Sequence, residues 1–538
     1  MRRLPNLESM FDSPASVVDA SALSLREKLA QLMFVRLGSD MPPVRTADED
    51  EARIAALLAE APLGGLILFN GRHATSPAAL ARLQAQSRVP LLVGADIERG
   101  YGQQLRPYPV GPLAMAFGSL GPDAADAVRQ FGELTAVASR RAGLHIAFAP
   151  VADVDSNPQT PIVSTRAFAA DPARAAELAA ALVEGGAAGG LLAAPTNLPG
   201  HGDTHEDSHH ALPVVSASRE ELLAQELAPF RATIAAGAPL VMSAHVRYPA
   251  LDDSGAPATL SRSILVDLLR DELGFTGAVV TDSMMMAGVQ GRAAGEGELC
   301  VLAVNAGADA LLDLNDPVAA LAVMETAVDA GRLPLARVDE AAERILRLKR
   351  LAFAGDFGGR SQFASLSDDA LRARTEELAE RVAAAAIECA PAATAPLLDP
   401  ARPLLAVLVT QYRSHLDPPE PPLATALAER FPRLEFVELR GDEPPAQWEA
   451  LAAHTAAAEQ LLAAIVVKPA AWHRFGLPAA ADRWLRETTE RRPTVVACLG
   501  APAALAATPR AAARLCTFSD VPISQRALAR RLAGDGSA

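Results

Sequence analysis

Between about residues 25 and 350, short apolar β-rich segments alternate with longer segments of helical period, which are rich in Ala, Leu, Glu and Arg. This alternation predicts repeated βα units, because a helical crossover between strands returns the chain to the same edge of a parallel sheet. Eight strands are predicted. They are Leu32–Leu37, Gly65–Phe69, Leu91–Ala95, His145–Pro150, Gly190–Ala194, Leu240–Ala244, Ala278–Thr281 and Ala308–Leu312.

Eight such units within one stretch match the length and strand count of a (β/α)8 TIM-type barrel with insertions. We therefore predict this α/β barrel for residues 1–352, with a doubly wound open sheet as the alternative. At 538 residues, half of them apolar, the chain exceeds what one hydrophobic core usually serves. A linker and connecting helix are predicted over 353–390, and a smaller C-terminal α/β sandwich domain over 391–538.

In the predicted C-terminal domain, three apolar runs are typical of buried parallel strands. They are Pro403–Thr410, Leu461–Val467 and Thr494–Leu499. The last continues into C-L-G-A-P-A-A at 498–504, which lacks the second and third glycines of a dinucleotide-binding loop. We therefore expect no nucleotide cofactor, and no other cofactor is predicted.

Charge and cysteine usage exclude several classes of partner. The net charge is −15 and no Lys/Arg-rich run is long enough to track phosphates, so nucleic acid is not an expected partner. The four cysteines form no C-x-x-C pair, which predicts reduced thiols.

The N-terminal M-R-R-L-P-N-L-E-S-M lacks the apolar run of a secretory signal, and no stretch reaches membrane-spanning length. A cytoplasmic protein without a membrane partner is predicted.

Polar residues follow directly after several of the predicted strands. They include Asp96, Asp153, the run 199–210, His245 and Asp282. Barrel enzymes place their chemistry in the loops at the C-terminal ends of the strands. The placement therefore favours catalytic or binding roles over purely structural ones.

The run P-G-H-G-D-T-H-E-D-S-H-H at 199–210 holds four histidines and three acidic residues. A solvated polar loop is the simplest interpretation of this run. A metal site is the more specific alternative, since His201, His205 and His209 recur every four residues. That interval shares one face only on a helix, and Pro199 with two glycines favours a loop. No His-x-His pair lies upstream. We therefore predict no metal here.

A second segment, A-V-V-T-D-S-M-M-M-A-G, places Asp282 directly after an apolar strand, where its carboxylate would project into the barrel mouth. A helix N-cap is the structural alternative for Asp282, and Ser283 could serve equally. The methionines at 284–286 are either packing residues or an apolar platform.

At these residues the sequence resembles glycoside hydrolase family 3, and within it the bacterial β-N-acetylglucosaminidases. The resemblance covers nearly the whole chain, and its segments occur in the family's order. They are L-S-L-R-E-K-L-A-Q-L-M at 23–33, A-D-I-E-R-G at 95–100, F-A-P-V-A-D-V at 148–154, S-T-R-A-F at 164–168, the run 199–210, V-M-S-A-H-V-R-Y-P-A-L-D at 241–252, L-L-R-D-E-L-G-F-T-G-A-V-V-T-D-S-M at 268–284, N-A-G-A-D at 305–309 and L-C-T-F-S-D-V-P-I-S-Q-R-A at 515–527.

The resemblance implies a retaining double displacement with Asp282 as nucleophile. It also implies that Asp203-Thr204-His205 supplies the acid/base, with His205 moving the proton and Asp203 orienting the ring. An unperturbed imidazole titrates near about pH 6.5, so it can protonate a leaving oxygen and then deprotonate water near neutrality.

The same resemblance implies that Asp96 and Arg166 hold sugar hydroxyls, and His201 and His245 are assigned to the substrate pocket with them. Two segments depart from the family pattern. Thr196 and Asn197 stand where the family has a Lys-His pair, and residues 96–104 read D-I-E-R-G-Y-G-Q-Q where the family reads D-x-E-G-G-R-x-x-R. The catalytic set is intact while the substrate pocket, including Thr196 and Asn197, is altered.

The predicted function is exo-acting removal of terminal β-N-acetylglucosamine from a carbohydrate substrate, with cell-wall fragment recycling as the expected role. The alternatives are a β-glycosidase for another sugar, a glycoside phosphorylase, a non-catalytic sugar-binding homologue and a metallohydrolase. Phosphorolysis is an alternative because an imidazole does not repel an anionic acceptor as a carboxylate does.

Overall fold

The structure is a computed structural model that describes residues 17–204, 206, 208, 211–354, 361–392, 397–413, 418–470 and 475–535. These residues form two compact units. The first comprises residues 17–109, Ala125–Val154 and Ala169–Thr375. The second comprises Val110–Ala124, Asp155–Phe168 and residues 376–535.

The first unit contains a strand at each of the eight predicted positions, so that part of the prediction is confirmed. We label them β1 (Met33–Leu37), β2 (Gly65–Leu68), β3 (Leu92–Ala95), β4 (Ile146–Ala147), β5 (Leu192–Ala193), β6 (Leu240–Ser243), β7 (Ala278–Thr281) and β8 (Leu311–Leu312). Two further short strands, Gly71–Arg72 and Leu105–Arg106, pair with each other in parallel.

All the pairings among β1–β8 are parallel. Six strands form one sheet in the order β8-β1-β2-β3-β4-β5, and β6 pairs with β7. Single bridges join Leu198, beyond β5, to Ser243 of β6, and Val280 of β7 to Ala310, just before β8. The first unit is therefore an α/β fold on parallel strands whose carboxyl ends share one edge.

Helices lie before, between and after these strands. They are Leu25–Gln31, Ala47–Glu60, Ser76–Gln86, Ala124–Arg141, Pro172–Ala188, Ala228–Ala235, Glu296–Ala306, Pro317–Asp329 and Leu335–Phe353, with π-helical turns at Leu222–Glu226 and Ser263–Glu272. The first two begin with capping boxes, in which Ser24 pairs with Glu27 and Thr46 with Glu49. Within the described residues, no helix combines the length and apolar character needed to cross a bilayer.

One hydrophobic core of the first unit takes side chains from all eight strands. Its members include Phe34, Ile67, Leu92, Ile146, Leu192, Leu240, Val280 and Leu312. Ile345 and Leu348 of the helix Leu335–Phe353 pack against the same cluster. This core fixes the strand ends from which the polar side chains of the site project.

The second unit is built on a six-stranded sheet, which agrees with the predicted α/β domain. Its strands are β9 (Glu388–Ala390), β10 (Leu404–Val409), β11 (Leu434–Leu439), β12 (Gln460–Ile465), β13 (Val495–Cys498) and β14 (Ala513–Cys516). They lie in the order β9-β14-β13-β12-β10-β11, and only the β9–β14 pair is antiparallel.

Helices cover both faces of this second sheet. They are Pro422–Ala428, Pro445–Ala457, Ala479–Arg491 and Pro522–Ala533, and the helix Asp368–Ala385 leads into the unit. Two separate apolar cores lie on the two faces, with Leu404 and Leu408 in one and Leu405 and Val407 in the other. The alternation along β10 is what a strand buried on both faces requires.

The domain limits 1–352, 353–390 and 391–538 stay a prediction, whereas the two compact units divide the chain after Thr375 and exchange two earlier segments. Residues 110–124 and 155–168 lie between predicted barrel strands in the sequence but belong to the second unit. The apolar side chains of Met115 and Ala116 explain the first case, since they pack with Cys516 and Phe518.

Candidate active site

Asp282 is the first residue after β7 and lies partly buried at the carboxyl edge of the strands. Its backbone N–H donates to the Ser243 carbonyl at 3.2 Å, which ties it to the end of β6. Its Oδ1 accepts from the Ser283 N–H at 2.7 Å. One carboxylate oxygen is therefore oriented by the next peptide group.

Ser283 is held at two of its atoms. Its hydroxyl donates to Asp313 Oδ2 at 2.7 Å, and its carbonyl accepts from His245 Nε2 at 3.0 Å. Because a carbonyl only accepts, His245 carries a proton on Nε2, and its Nδ1 lies 2.8 Å from the Thr259 hydroxyl. Buried His245 thus braces the peptide that follows Asp282.

Asp313 directly follows β8, and its side chain is 1% exposed. Arg36 of β1 donates from Nε to Asp313 Oδ1 at 2.8 Å, and its Nη2 bonds to Oδ2. Burial lowers the pKa of Arg36, but the hydrogen bond and charge of Asp313, aided by Asp96 and Asp40, raise it above its ordinary value. A bidentate pair of this kind fixes the carboxylate plane.

The loop after β5 is anchored through Asp153. Asp153 Oδ2 accepts from Asn197 Nδ2 at 2.7 Å, and its Oδ1 accepts from the His201 backbone N–H at 2.6 Å. The Tyr248 hydroxyl donates to the Gly200 carbonyl at 2.5 Å. These bonds secure the start of the loop that leads to Asp203.

His201 is buried within this loop, and both ring nitrogens contact hydroxyls. Nδ1 lies 2.7 Å from Thr204 Oγ1, and Nε2 lies 3.2 Å from Ser208 Oγ. Residues 199–204 are not helical, which confirms the predicted loop. Gly202 is required by space, because a Cβ there would lie 1.9 Å from the Val154 carbonyl oxygen.

The predicted acid/base pair is described only in part. Asp203 lies partly buried in the loop, whereas His205 falls outside the described residues, as does His209. The described part of the chain contains no group of three His, Cys, Asp or Glu side chains that could hold a metal ion.

The predicted substrate residues fall into two groups. Thr196, Asn197, His201 and His245 are buried, and the last three bond to protein groups, which favours supporting roles; their contact with substrate stays a prediction. Asp96, the first residue after β3, is partly exposed.

Arg166 lies in the second unit. Its Nη1 donates to the Ile162 carbonyl at 2.9 Å, four residues earlier in the chain. This bond keeps the arginine close to its own turn, Ser164–Arg166. Its predicted contact with a sugar hydroxyl stays a prediction.

Sequence reasoning missed Arg36 and Asp313. Asp313 follows β8 just as Asp282 follows β7, so the same strand-end signal could have found it. Arg36 is the single charged residue in the strand M-F-V-R-L, which is another usable signal. Their pairing joins residues 277 positions apart and has no local signature.

The comparisons with known proteins agree with this architecture. The model of the glycosyl hydrolase family 3 N terminal domain matches residues 24–348, which is more than half of the chain. The chain therefore belongs to glycosyl hydrolase family 3, as the sequence motifs predicted.

Two relatives are named as hexosaminidases. Beta-hexosaminidase of Pseudomonas aeruginosa is 39% identical over 265 residues, covering 48% of this chain and 77% of that protein. Beta-hexosaminidase A of Pseudoalteromonas piscicida is 35% identical over 263 residues, covering 44% of this chain. The matched region spans only 43% of the Pseudoalteromonas protein's length.

Solved structures extend the likeness to the second unit. A family 3 β-N-acetylglucosaminidase from Paenibacillus sp. str. FPU-7 is 28% identical, with a TM-score of 0.83, covering 96% of this chain and 98% of that one. A β-glucoside phosphorylase has a TM-score of 0.80 at 20% identity, covering 96% and 93%, and shows the shared fold alone.

Proposed function

We propose that this chain is a retaining, exo-acting glycoside hydrolase that removes terminal β-linked N-acetylglucosamine. The observation that carries the proposal is the Asp282 carboxylate at the carboxyl end of β7, oriented by a Ser283 peptide that His245 and Asp313 hold. The names of the Pseudomonas and Paenibacillus relatives support the sugar assignment.

The barrel closure that the sequence predicts is part of this proposal. We infer that β1–β8 close into one barrel, with the bridges Leu198–Ser243 and Val280–Ala310 joining the two sheets. The core shared by all eight strands supports this. Closure would bring Asp96, Asp282 and the loop after β5 around one mouth, as barrel enzymes require.

In the first chemical step, an Asp282 oxygen attacks the anomeric carbon while the glycosidic bond breaks. His205 gives its proton to the leaving oxygen, so the aglycone departs neutral. Asp203 orients the imidazole ring and stabilises its cationic form before transfer. The product of this step is a glycosyl ester on Asp282 and a neutral His205.

In the second step, water attacks the same carbon as His205 takes its proton. The ester bond breaks and Asp282 leaves as a carboxylate, so the two inversions give net retention. Asp96 would accept hydrogen bonds from sugar hydroxyls, and the sugar contact of Arg166 stays a prediction. The predicted cytoplasmic address and role in cell-wall recycling stay predictions.

A panel of nitrophenyl β-glycosides, assayed with and without inorganic phosphate, tests the proposal. We expect fastest release from the N-acetyl-β-glucosaminide, a free sugar with retained configuration, and no dependence on phosphate. Asp282→Asn is the matched control for contaminating activity. A sugar phosphate as the main product would show a phosphorylase, and no turnover of any glycoside would leave a non-catalytic homologue.

A further inference from the structure

A chain of hydrogen bonds runs from β1 to the nucleophile's peptide at the mouth of the first unit. It begins at Arg36, passes through the buried carboxylate of Asp313 and ends at the hydroxyl of Ser283. Neither Arg36 nor Asp313 belongs to the catalytic set proposed above. We propose that Asp313 is a positioning residue that orients the nucleophile Asp282 through Ser283, and that Arg36 fixes the plane of Asp313. This inference rests on the proposed function.

The geometry gives Asp313 a specific partner on each side. Arg36 occupies both carboxylate oxygens in a fork, and the Ser283 hydroxyl adds a bond to Oδ2 at 2.7 Å. The Arg36 guanidinium also lies over the Phe69 ring, 4.7 Å from its centroid, which limits its movement. Asp313 therefore presents a fixed acceptor to Ser283.

Fixing Ser283 orients Asp282, because the Ser283 N–H donates to Asp282 Oδ1. That bond draws charge onto Oδ1 and leaves Oδ2 as the more nucleophilic oxygen. If Ser283 turned, the N–H would no longer select one oxygen, and the attack angle on the anomeric carbon would change. A misplacement of about 1 Å can cost about a hundredfold in rate.

The backbone at Asp313 supports a dedicated role. Its φ is +64°, a left-handed conformation that residues other than glycine adopt infrequently. A conformation of this kind persists only where the surrounding structure enforces it. At Asp313 this backbone conformation carries the carboxylate that accepts a hydrogen bond from the Ser283 hydroxyl. Arg36 offsets the negative charge that the Asp313 carboxylate brings beside Ser283.

The test measures how fast Asp282 is glycosylated, separately from sugar binding and folding. The variants are Ser283→Ala, which removes only the hydroxyl, Ser283→Thr, which restores it, and Asp313→Asn. The probe is a dinitrophenyl glycoside of a 2-acetamido-5-fluoro sugar. The fluorine slows hydrolysis of the glycosyl-enzyme, so the label accumulates. Asp520→Asn, which breaks the Lys468–Asp520 pair of the second unit, is the matched control.

We expect Ser283→Ala and Asp313→Asn to slow the release of dinitrophenolate by about ten- to a hundredfold. Inhibition by free N-acetylglucosamine should change less than twofold, Ser283→Thr should recover most of the rate, and Asp520→Asn should match the wild type. A merely structural role would lower the folded fraction and leave the rate per folded molecule unchanged.

Wild-type labelling rates in well-folded Ser283→Ala would overturn the positioning role while leaving the proposed function intact. Equal losses in rate and in sugar binding would also overturn it, since Asp313 would then shape the pocket rather than the nucleophile. If the wild-type enzyme were not labelled at all, the proposed function would fail together with this inference.

Discussion

Two buried aspartates, four residues apart on either side of β8, have different partners. Asp309 precedes the strand and is fully buried. Its carboxylate pairs with Arg270 at 2.7 Å, Arg337 at 2.6 Å and Arg344 at 3.1 Å. It also accepts from the Val279 N–H at 2.9 Å. Every one of these partners belongs to the scaffold.

Asp313 follows the same strand and has only one cationic partner among the described residues, Arg36, whose side chain is 26% exposed. Its other bond leads to Ser283, beside the proposed nucleophile. On the proposed roles, burial and ion pairing alone do not distinguish a structural carboxylate from a functional one. The two carboxylates differ in the end of β8 that they occupy and in the residues that they contact.

The largest effect should come from Asp282→Asn, directly after β7. An amide cannot replace the carboxylate as nucleophile, so kcat should fall by several orders of magnitude. The melting temperature should stay close to that of the wild type, because the bond from the Ser283 N–H survives on the amide oxygen. Steady-state kinetics and thermal unfolding measure the two quantities. Substantial residual activity would remove Asp282 from the chemistry.

His205→Ala tests the proposed acid/base in the loop after β5. General acid catalysis is typically worth about a hundredfold to ten-thousandfold, and only poor leaving groups need the proton. We expect alkyl glycosides to lose rate by that amount and dinitrophenyl glycosides to lose far less. Asp203→Asn should give a milder version of the same profile. Equal losses on both substrates would contradict the acid role.

Asp309→Asn, at the other end of β8, should lower the stability and leave the activity of the folded protein unchanged. Removing the charge leaves three arginines without their buried partner, which costs about 3–5 kcal/mol of unfolding free energy. The rate per folded molecule should remain near that of the wild type. Urea unfolding and active-site titration give these values. A large kinetic defect in the folded variant would break the distinction between the two strand ends.

The smallest effect should come from Thr196→Val. Thr196 is buried at 4% exposure, and its Oγ1 has no hydrogen-bond partner within the described part of the chain. If this hydroxyl meets the sugar, KM should rise about twofold to tenfold, the value of one neutral hydrogen bond. Stability should not fall, since no protein bond is lost. An unchanged KM would remove Thr196 from the substrate pocket.

The sequence predicted the strands well where they are apolar throughout and poorly where they are not. All eight strands of the first unit match, and Ala278–Thr281 matches residue for residue. β11, Leu434–Leu439, was missed because it is an edge strand whose L-E-F-V-E-L carries two glutamates and is mostly half-exposed. Its pattern lacks the continuous apolar run of a central strand.

The candidate site was predictable one residue at a time but not as a network. Asp282 is marked by its place after an apolar strand and by the family motif. The roles of Asn197 and His245 as supports were not visible, because their partners Asp153 and Ser283 lie 44 and 38 residues away. Such pairings depend on how the chain brings distant strand ends together.

The proposed mechanism requires Asp282 to form a covalent bond to the sugar. Incubation with a 5-fluoro N-acetylglucosaminyl donor that carries a good leaving group, followed by proteolysis and peptide mass spectrometry, tests it directly. We expect one added sugar on the peptide containing A-V-V-T-D-S, located at Asp282, and none in Asp282→Asn. A label on any other residue, or turnover with an inverted anomeric centre and no labelled peptide, would contradict the mechanism.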